Sequence, residues 1–79
     1  MYLHIGKNYI VKQKDIICIL NIECIRWEVY KDIRKSYKEN IIDISNNNAR
    51  SLIITKEKDK DTKIYISNIL PTTIAGRVK

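Results

Sequence analysis

Residues 16–40 read IICILNIECIRWEVYKDIRKSYKEN, and this stretch decides the fold because its apolar pattern changes partway along. Residues 16–22 are hydrophobic apart from Asn21, and such a run predicts a central strand that is covered on both faces. From Arg26 onward, apolar side chains recur at helical spacing and charged side chains fill the other positions. This second pattern predicts an amphipathic helix that follows the strand.

The predicted helix has an apolar stripe and a charged face. Glu28 and Asp32 each precede a lysine by three positions, a spacing that supports a helix modestly. Glu39-Asn40 is expected to end the helix, since Asn tolerates the left-handed conformation found at helix ends. The apolar stripe comprises Trp27, Val29, Tyr30, Ile33 and Tyr37.

Strand patterns lie on both sides of this stretch. On the N-terminal side, Leu3 and Ile5 alternate with polar neighbours, and residues 9–11 resume the pattern after a break, which predicts a hairpin. On the C-terminal side, the pattern predicts strands at 41–44, 52–55 and 64–69, with an Asn-rich loop at 45–49 and a charged hairpin tip at 56–63. Because it mixes charges of both signs, that tip is interpreted as an edge-protecting hairpin.

Pro71 favours the start of a short C-terminal helix that carries Ile74, Arg77 and Val78. Taken together, these patterns predict an α+β fold for residues 1–79, in one domain. We expect a small, mostly antiparallel β-sheet with one main amphipathic helix and a short C-terminal helix.

Composition limits what such a chain can be. A chain of 79 residues buries only about 60% of the surface that its unfolded form exposes. Since 44% of the residues are hydrophobic, part of the apolar surface is expected to be buried by self-association.

Cys18 and Cys24 form no metal or redox motif and are expected to be buried, reduced thiols. With no signal-peptide pattern and no apolar run near 20 residues, we expect a cytoplasmic protein that does not contact the membrane.

The charge balance points to a polyanionic partner. Fifteen Lys and Arg residues face nine Asp and Glu residues, for a net charge of +6. Such a field favours DNA, RNA or anionic lipid, and the alternative is a solvated, lysine-rich surface that maintains solubility. A basic stripe on the predicted helix has the same two readings, and the solvated face is the favoured one. It comprises Arg26, Lys31, Arg34, Lys35 and Lys38.

Catalytic patterns are not found. The chain has one histidine, two cysteines and two glycines, so it has no phosphate-binding glycine loop and no zinc site within one chain. His4 falls on an alternate strand face and is interpreted as a surface or interface residue. We therefore expect no enzyme activity, no cofactor and no metal, with a site shared between subunits as the remaining enzymatic alternative.

Seven short motifs follow one another along almost the whole chain: MYLHIG, YIV, KDIICI, IIDIS, RSLIIT, KIYIS and PTTIAGR. Their order and spacing resemble the RemA/RemB family of regulators of extracellular-matrix (biofilm) genes, and the RemB branch most. The resemblance implies a domain related to the LytTR DNA-binding domain, assembled into closed rings that bind double-stranded DNA around a basic rim. A ring multiplies the charge of each subunit and strengthens salt-dependent binding to the phosphate backbone.

The resemblance also selects candidate DNA-binding residues. Arg50 and Lys14 are carried over first, although RemA has adjacent arginines where this chain has only Arg50, and an arginine where this chain has Asp15. Lys12, Asn48 and Arg77 are weaker candidates, and Arg77 has a subunit interface as its alternative role. Ser51 is a candidate for a different reason: it follows the Asn-rich loop, where its hydroxyl could donate to a phosphate oxygen. Because one loop arginine is missing, the second hypothesis is a protein-interaction module of the same fold that does not bind DNA.

Overall fold

The computed structural model describes residues 1–77 and contains, within them, six strands and two α-helices in the order β-β-β-α-β-β-β-α. Short 3-10 turns occupy Gln13–Asp15, Ile22–Cys24 and Lys38–Asn40. The strands and helices are β1 (Tyr2–Gly6), β2 (Tyr9–Lys12), β3 (Ile16–Asn21), α1 (Trp27–Ser36), β4 (Ile41–Ile44), β5 (Ser51–Thr55), β6 (Lys63–Ser67) and α2 (Pro71–Gly76).

The strands form two sheets. β1 and β2 make an antiparallel hairpin, and the other four strands form a sheet in the order β3-β5-β6-β4. β5 pairs antiparallel with both β3 and β6, whereas β4 pairs parallel with β6. The predicted α+β fold with mostly antiparallel pairing is therefore confirmed, and so is the short helix that begins at Pro71. Of that helix's predicted residues, Val78 lies outside the described part of the chain.

Alternation along the central strands builds a core on each face of the sheet. Ile53 and Tyr65 face the hairpin and α2, where they share a cluster with Leu3, Ile5 and Ile74. The intervening residues of β5 and β6 face α1, which covers them with Tyr30 and Ile33; they are Leu52, Ile64 and Ile66. Each fully buried isoleucine or leucine stabilises the fold by about 1.5–3 kcal/mol. The result is three layers, with the sheet between α1 and the hairpin.

β3 lies at an edge of the sheet, so its prediction as a central strand is wrong. The run Ile16–Asn21 does contribute to both cores, with Ile19 on the hairpin side and Leu20 on the α1 side. However, β3 pairs only with β5 in the described chain, and a register irregularity between Ile16 and Cys18 leaves Ile17 62% exposed. A continuous apolar run indicates that both faces of a strand are covered, but it does not indicate whether the strand is central or at an edge of its sheet.

Fewer residues of the apolar stripe of α1 are buried against the sheet than the sequence pattern predicts. Tyr30 and Ile33 are half-buried, whereas Trp27, Val29 and Tyr37 are exposed. The two predicted ion pairs along the helix do not form salt bridges within residues 1–77. Within the ten residues of α1, Tyr30 and Ile33 are thus the stripe residues that pack on the sheet, and the other apolar side chains of the stripe face solvent.

The end of α1 also differs from its prediction. The helix ends at Ser36, and the backbone N–H of Tyr37 donates to the Ile33 carbonyl at 3.0 Å. Asn40 follows one 3-10 turn later, without a left-handed backbone. Its side chain instead donates to the Thr62 carbonyl at 2.8 Å, which ties the segment after the helix to the β5–β6 loop.

Three further expectations are settled by burial and position. Cys18 is half-buried and Cys24 is exposed, so the prediction of two buried thiols is wrong. The loop at 45–49 is confirmed, with Asn46 and Asn47 in the left-handed region. Residues 56–62 connect β5 and β6, which are the two internal strands, so this charged loop does not protect a sheet edge.

Candidate nucleic-acid interface

Arg50 lies where the Asn-rich loop enters β5, and its backbone is held from two sides. Its N–H donates to the Ser67 carbonyl at 2.8 Å, and its carbonyl accepts from the Ile22 N–H at 3.0 Å. Its side chain remains 42% exposed, with Nη1 3.6 Å from Oε1 of Glu23. A fixed backbone and a partly exposed guanidinium place one strong phosphate-binding group at this corner of the sheet.

The loop beside Arg50 is ordered by its own hydrogen bonds. Asp43 accepts from the Ser45 N–H at 2.9 Å and from the Ser45 hydroxyl at 2.6 Å, and the Asn48 N–H donates to the Ser45 carbonyl at 3.1 Å. Partial burial opposes ionisation of Asp43, but the Ser45 bonds and the charges of Arg34 and Lys7 together lower the pKa of its carboxyl. The loop therefore presents the exposed Asn48 next to Arg50 in a defined conformation.

The structure does not place Ser51 at the surface, where a phosphate-binding residue would have to lie. It is fully buried, and its hydroxyl donates to the Ile69 carbonyl at 2.7 Å. Ser51 is the first residue of β5, a strand that is covered on both faces, so its side chain has no exposed atom to offer a phosphate. Its hydroxyl instead anchors the segment that leads into α2.

Lys12 precedes the 3-10 turn before β3 and Lys14 lies within that turn, and both side chains are exposed. The Lys56 N–H donates to the Asp15 carbonyl at 2.8 Å and so brings the β5–β6 loop against this turn. Together they surround an open cleft of about 520 Å³, which we call the lysine cleft. Its lining comprises Lys12, Lys14, Asp15, Lys56, Glu57 and Lys58.

Acidic charge in the lysine cleft is partly neutralised. Glu57 lies 3.0 Å from Lys60, and the hydrogen bond and charge of Lys60 lower the pKa of the Glu57 carboxyl. Sequence reasoning missed Lys56 and Lys58 because it assigned their loop to a sheet edge. No local pattern in the sequence places them beside Lys14; the pairing of Ile16 with Thr55 in the structure does.

Arg77 lies apart from both of these regions. It follows α2, and its Nη1 donates to the His4 carbonyl at 2.7 Å, so it joins α2 to the hairpin. His4 is exposed, as predicted, and its ring contacts the Lys7 carbonyl. Within one chain, Arg77 therefore serves a structural contact.

The two principal candidates lie at opposite ends of one strand pair. Lys14 precedes Ile16, which pairs with Thr55, whereas Arg50 precedes Ser51, which pairs with Asn21. Four residue steps along β5 separate these ends, or about 13 Å at the rise of a strand. A single chain therefore presents two separate basic regions instead of one cluster.

Other kinds of site are not found in residues 1–77. No three His, Cys, Asp or Glu side chains gather in a way that would hold a metal ion. No helix in this range is long and apolar enough to cross a membrane.

Comparison with known proteins gives two matches. Residues 2–78 match the family described as "RemA-like: Extracellular matrix regulatory protein A-like". The chain is also similar to a protein of Bacillus subtilis (strain 168) named "Extracellular matrix regulatory protein B", with 23% identity over 79 residues. That alignment covers 100% of this chain and 91% of the relative.

Proposed function

The chain belongs to the RemA-like family of extracellular matrix regulatory proteins, and on this basis we propose that it is a ring-forming, DNA-binding transcriptional regulator of extracellular-matrix genes. The proposal includes a cytoplasmic location and a role without catalysis. The family and the relative are both named for regulation. DNA binding is inferred from the exposed basic residues, and self-association from the exposed apolar surface.

The main support for DNA binding is the pair of exposed basic regions at the two ends of the β3–β5 strand pair. Arg50 supplies a guanidinium at one end, and four lysines surround the cleft at the other. Groups of this kind contact phosphate oxygens and release counterions, which gives binding that depends on salt and little on base sequence. The net charge of +6 adds a long-range attraction for a duplex.

Self-association is supported by apolar surface outside the two cores. β3 leaves one edge open within the described chain, and Ile17 on that strand is exposed. The hairpin exposes Tyr2 and Ile10 in addition. An open, apolar edge invites pairing with another chain unless it is covered. A head-to-tail ring of copies would cover such surfaces and repeat both basic regions around a closed rim.

The duplex-binding part is tested by gel retardation of double-stranded DNA. Wild-type protein should retard a duplex at micromolar concentration in about 50 mM salt, and binding should fall steeply as salt rises. Arg50→Ala should weaken binding to unrelated sequences alike and reduce the salt slope by about one, as loss of a phosphate contact does. An absence of retardation by the wild-type protein under these conditions contradicts DNA binding.

A second function is favoured by one specific contact. Arg50 is the only arginine of its loop, and Glu23 lies 3.6 Å from it, so its charge is partly satisfied within the chain. The alternative is an oligomeric protein-interaction module of the same fold without DNA affinity. An oligomer that fails to retard DNA, yet retains a protein partner after nuclease treatment, supports this alternative over the first.

A further inference from the structure

The outer face of α1 carries an exposed aromatic ring beside a row of cations. Trp27 is 65% exposed and is the one tryptophan in the sequence. Lys31 and Arg34 follow it on α1 at intervals of four and three residues, so these two cations lie along the same side of the helix as the ring. Lys38, in the 3-10 turn after α1, lines the same cleft. We call these four residues the aromatic-cation stripe.

Contacts within the stripe hold its aromatic end in place. The Trp27 and Tyr30 rings stack with centroids 6.0 Å apart and an interplanar angle of 29°. Lys31 Nζ lies 5.9 Å from the centroid of the Trp27 ring, and the Arg34 guanidinium lies 5.7 Å from that of Tyr30. Arg34 also donates to the Tyr30 hydroxyl at 3.0 Å. Since Tyr30 packs on the sheet, these contacts connect the exposed ring to the core.

The stripe borders an open cleft of about 660 Å³ in which positive charge predominates. Four cations and one acid line it; besides Trp27 the lining residues are Lys31, Asp32, Arg34, Lys35 and Lys38. Arg34 is partly satisfied by Asp43 at 3.8 Å. For Lys31, Lys35 and Lys38, no salt bridge forms within residues 1–77, so their charges are available to an anionic ligand.

An exposed aromatic ring beside cations without salt bridges suits single-stranded nucleic acid better than a duplex or an acidic peptide. Single-stranded nucleic acid offers unstacked bases for the ring and phosphates for the lysines. A duplex keeps its bases stacked inside and would leave Trp27 unused. An acidic peptide would pair with the lysines and would likewise not need the ring.

We infer that the aromatic-cation stripe is a binding site for single-stranded nucleic acid, in which a base stacks on Trp27 and phosphates contact Lys31 and its neighbours. Trp27 and Arg34 are two turns apart, about 10 Å along the helix axis, which suits a strand of a few nucleotides. The site lies on α1 and the 3-10 turn that follows it, and it includes neither Arg50 nor any residue of the lysine cleft, so its test is independent of the duplex-binding proposal.

Fluorescence titration tests the inference directly, since tryptophan emission comes from Trp27 alone. Oligothymidylate of roughly 12 nucleotides, within the range of known single-strand sites, should quench this emission. With about three phosphates contacted, the affinity should fall about 20-fold between 50 and 200 mM salt. Polyglutamate of equal charge is the comparison polyanion and should leave the emission unchanged.

Variants separate stacking from charge. By anisotropy of a labelled oligothymidylate, Trp27→Ala should bind at least about fivefold more weakly, and Trp27→Tyr should recover part of that loss. Because Trp27 is exposed, circular dichroism should show both variants folded. Tyr37→Ala is the control, because Tyr37 is an exposed aromatic residue that does not line this cleft, and it should bind the single strand as the wild type does. Unchanged affinity in Trp27→Ala, or equal quenching by polyglutamate, overturns the inference; the second result assigns the stripe to an acidic protein.

Discussion

The guanidinium of Arg50 lies 3.6 Å from the carboxylate of Glu23, and both backbones are held in place. Asn21 accepts from the Glu23 N–H at 3.0 Å, and the Ile22 N–H donates to the Arg50 carbonyl at 3.0 Å. The side chain proposed to contact phosphate is therefore attracted to an acid of its own chain. The Arg50 side chain is partly exposed and that of Glu23 largely exposed, so the pair contributes at most about 1 kcal/mol and a phosphate can displace it.

Glu23→Gln should strengthen binding to duplex DNA. The substitution removes the carboxylate that competes with phosphate for Arg50, so the dissociation constant should fall about two- to fivefold at low salt. Retardation titrations at a fixed salt concentration measure this change.

Glu39→Gln is the matched control, since it adds the same charge to the protein. Glu39 precedes β4, whose first residue Ile41 pairs with Ile64 at the sheet end opposite Arg50. Equal gains in Glu23→Gln and Glu39→Gln would mean that only net charge matters, and would contradict a specific role for the Arg50–Glu23 contact.

Lys56→Ala and Lys58→Ala should each weaken duplex binding as much as Lys14→Ala does. All three lysines line one cleft, and each lost phosphate contact should lower the salt slope by about one. Salt-dependent titration of the three variants provides the comparison.

Lys35→Ala serves as the control for this set. Lys35 is an exposed lysine on α1 that does not line the lysine cleft, so its loss lowers the net charge equally without removing a cleft contact. A loss in Lys35→Ala as large as that in Lys58→Ala would argue against the lysine cleft as a defined contact region.

Asp43→Asn should lower stability at neutral pH but not in acid. The folded-state pKa of Asp43 is lowered, so its ionised form stabilises the fold above its ordinary pKa, and this contribution is lost as pH falls through the folded pKa. Since the carboxylate is partly exposed, the difference at pH 7 should be about 1 kcal/mol.

Urea unfolding at a series of pH values follows this difference. The gap between wild type and Asp43→Asn should close below about pH 4, the range in which aspartates protonate. Asp61→Asn, an exposed acid in the β5–β6 loop, is the control. A gap that persists undiminished at pH 2 would show that the carboxylate's charge contributes nothing.

Gly6→Ala should destabilise the fold by about 1–3 kcal/mol. Gly6 has a φ of +133°, and an added Cβ would lie 3.2 Å from Ile44 Cδ1 and 3.3 Å from Ser67 Oγ. The Ser67 hydroxyl donates to the Ile5 carbonyl, so the change would also disturb the bond that joins hairpin to sheet.

Gly76→Ala provides the comparison within the same chain. A Cβ at Gly76 meets nothing within 4 Å, and Gly76 lies at the end of α2. Thermal unfolding should show Gly76→Ala at or slightly above wild-type stability. A Gly6→Ala protein as stable as Gly76→Ala would contradict the described junction between the hairpin and the sheet.

Local patterns were sufficient to predict the elements but not their neighbours. The apolar run at 16–22 predicts a strand, and Pro71 predicts the start of α2, because both signals lie within a few residues. The edge position of β3 and the parallel pairing of β4 depend on contacts between distant segments, which no local period encodes.

The candidate site shows the same limit. Arg50 was selected by resemblance, yet its contact with Glu23 comes from the turn that follows β3. Ser51 is a candidate from its place after the Asn-rich loop, although both faces of β5 are covered and its side chain is buried. Lys56 joins Lys14 only because Ile16 pairs with Thr55, a register set across 39 positions of sequence (55 − 16).

The most direct test of the central claim is the mass of the protein in solution, measured by light scattering with and without duplex DNA. A ring-forming, DNA-binding protein should have a mass that is a stable multiple of the 9.3 kDa chain, and this mass should increase when a duplex is added at low salt. A 9.3 kDa monomer at high concentration, unchanged by DNA, would contradict both the assembly and the DNA binding proposed for this protein.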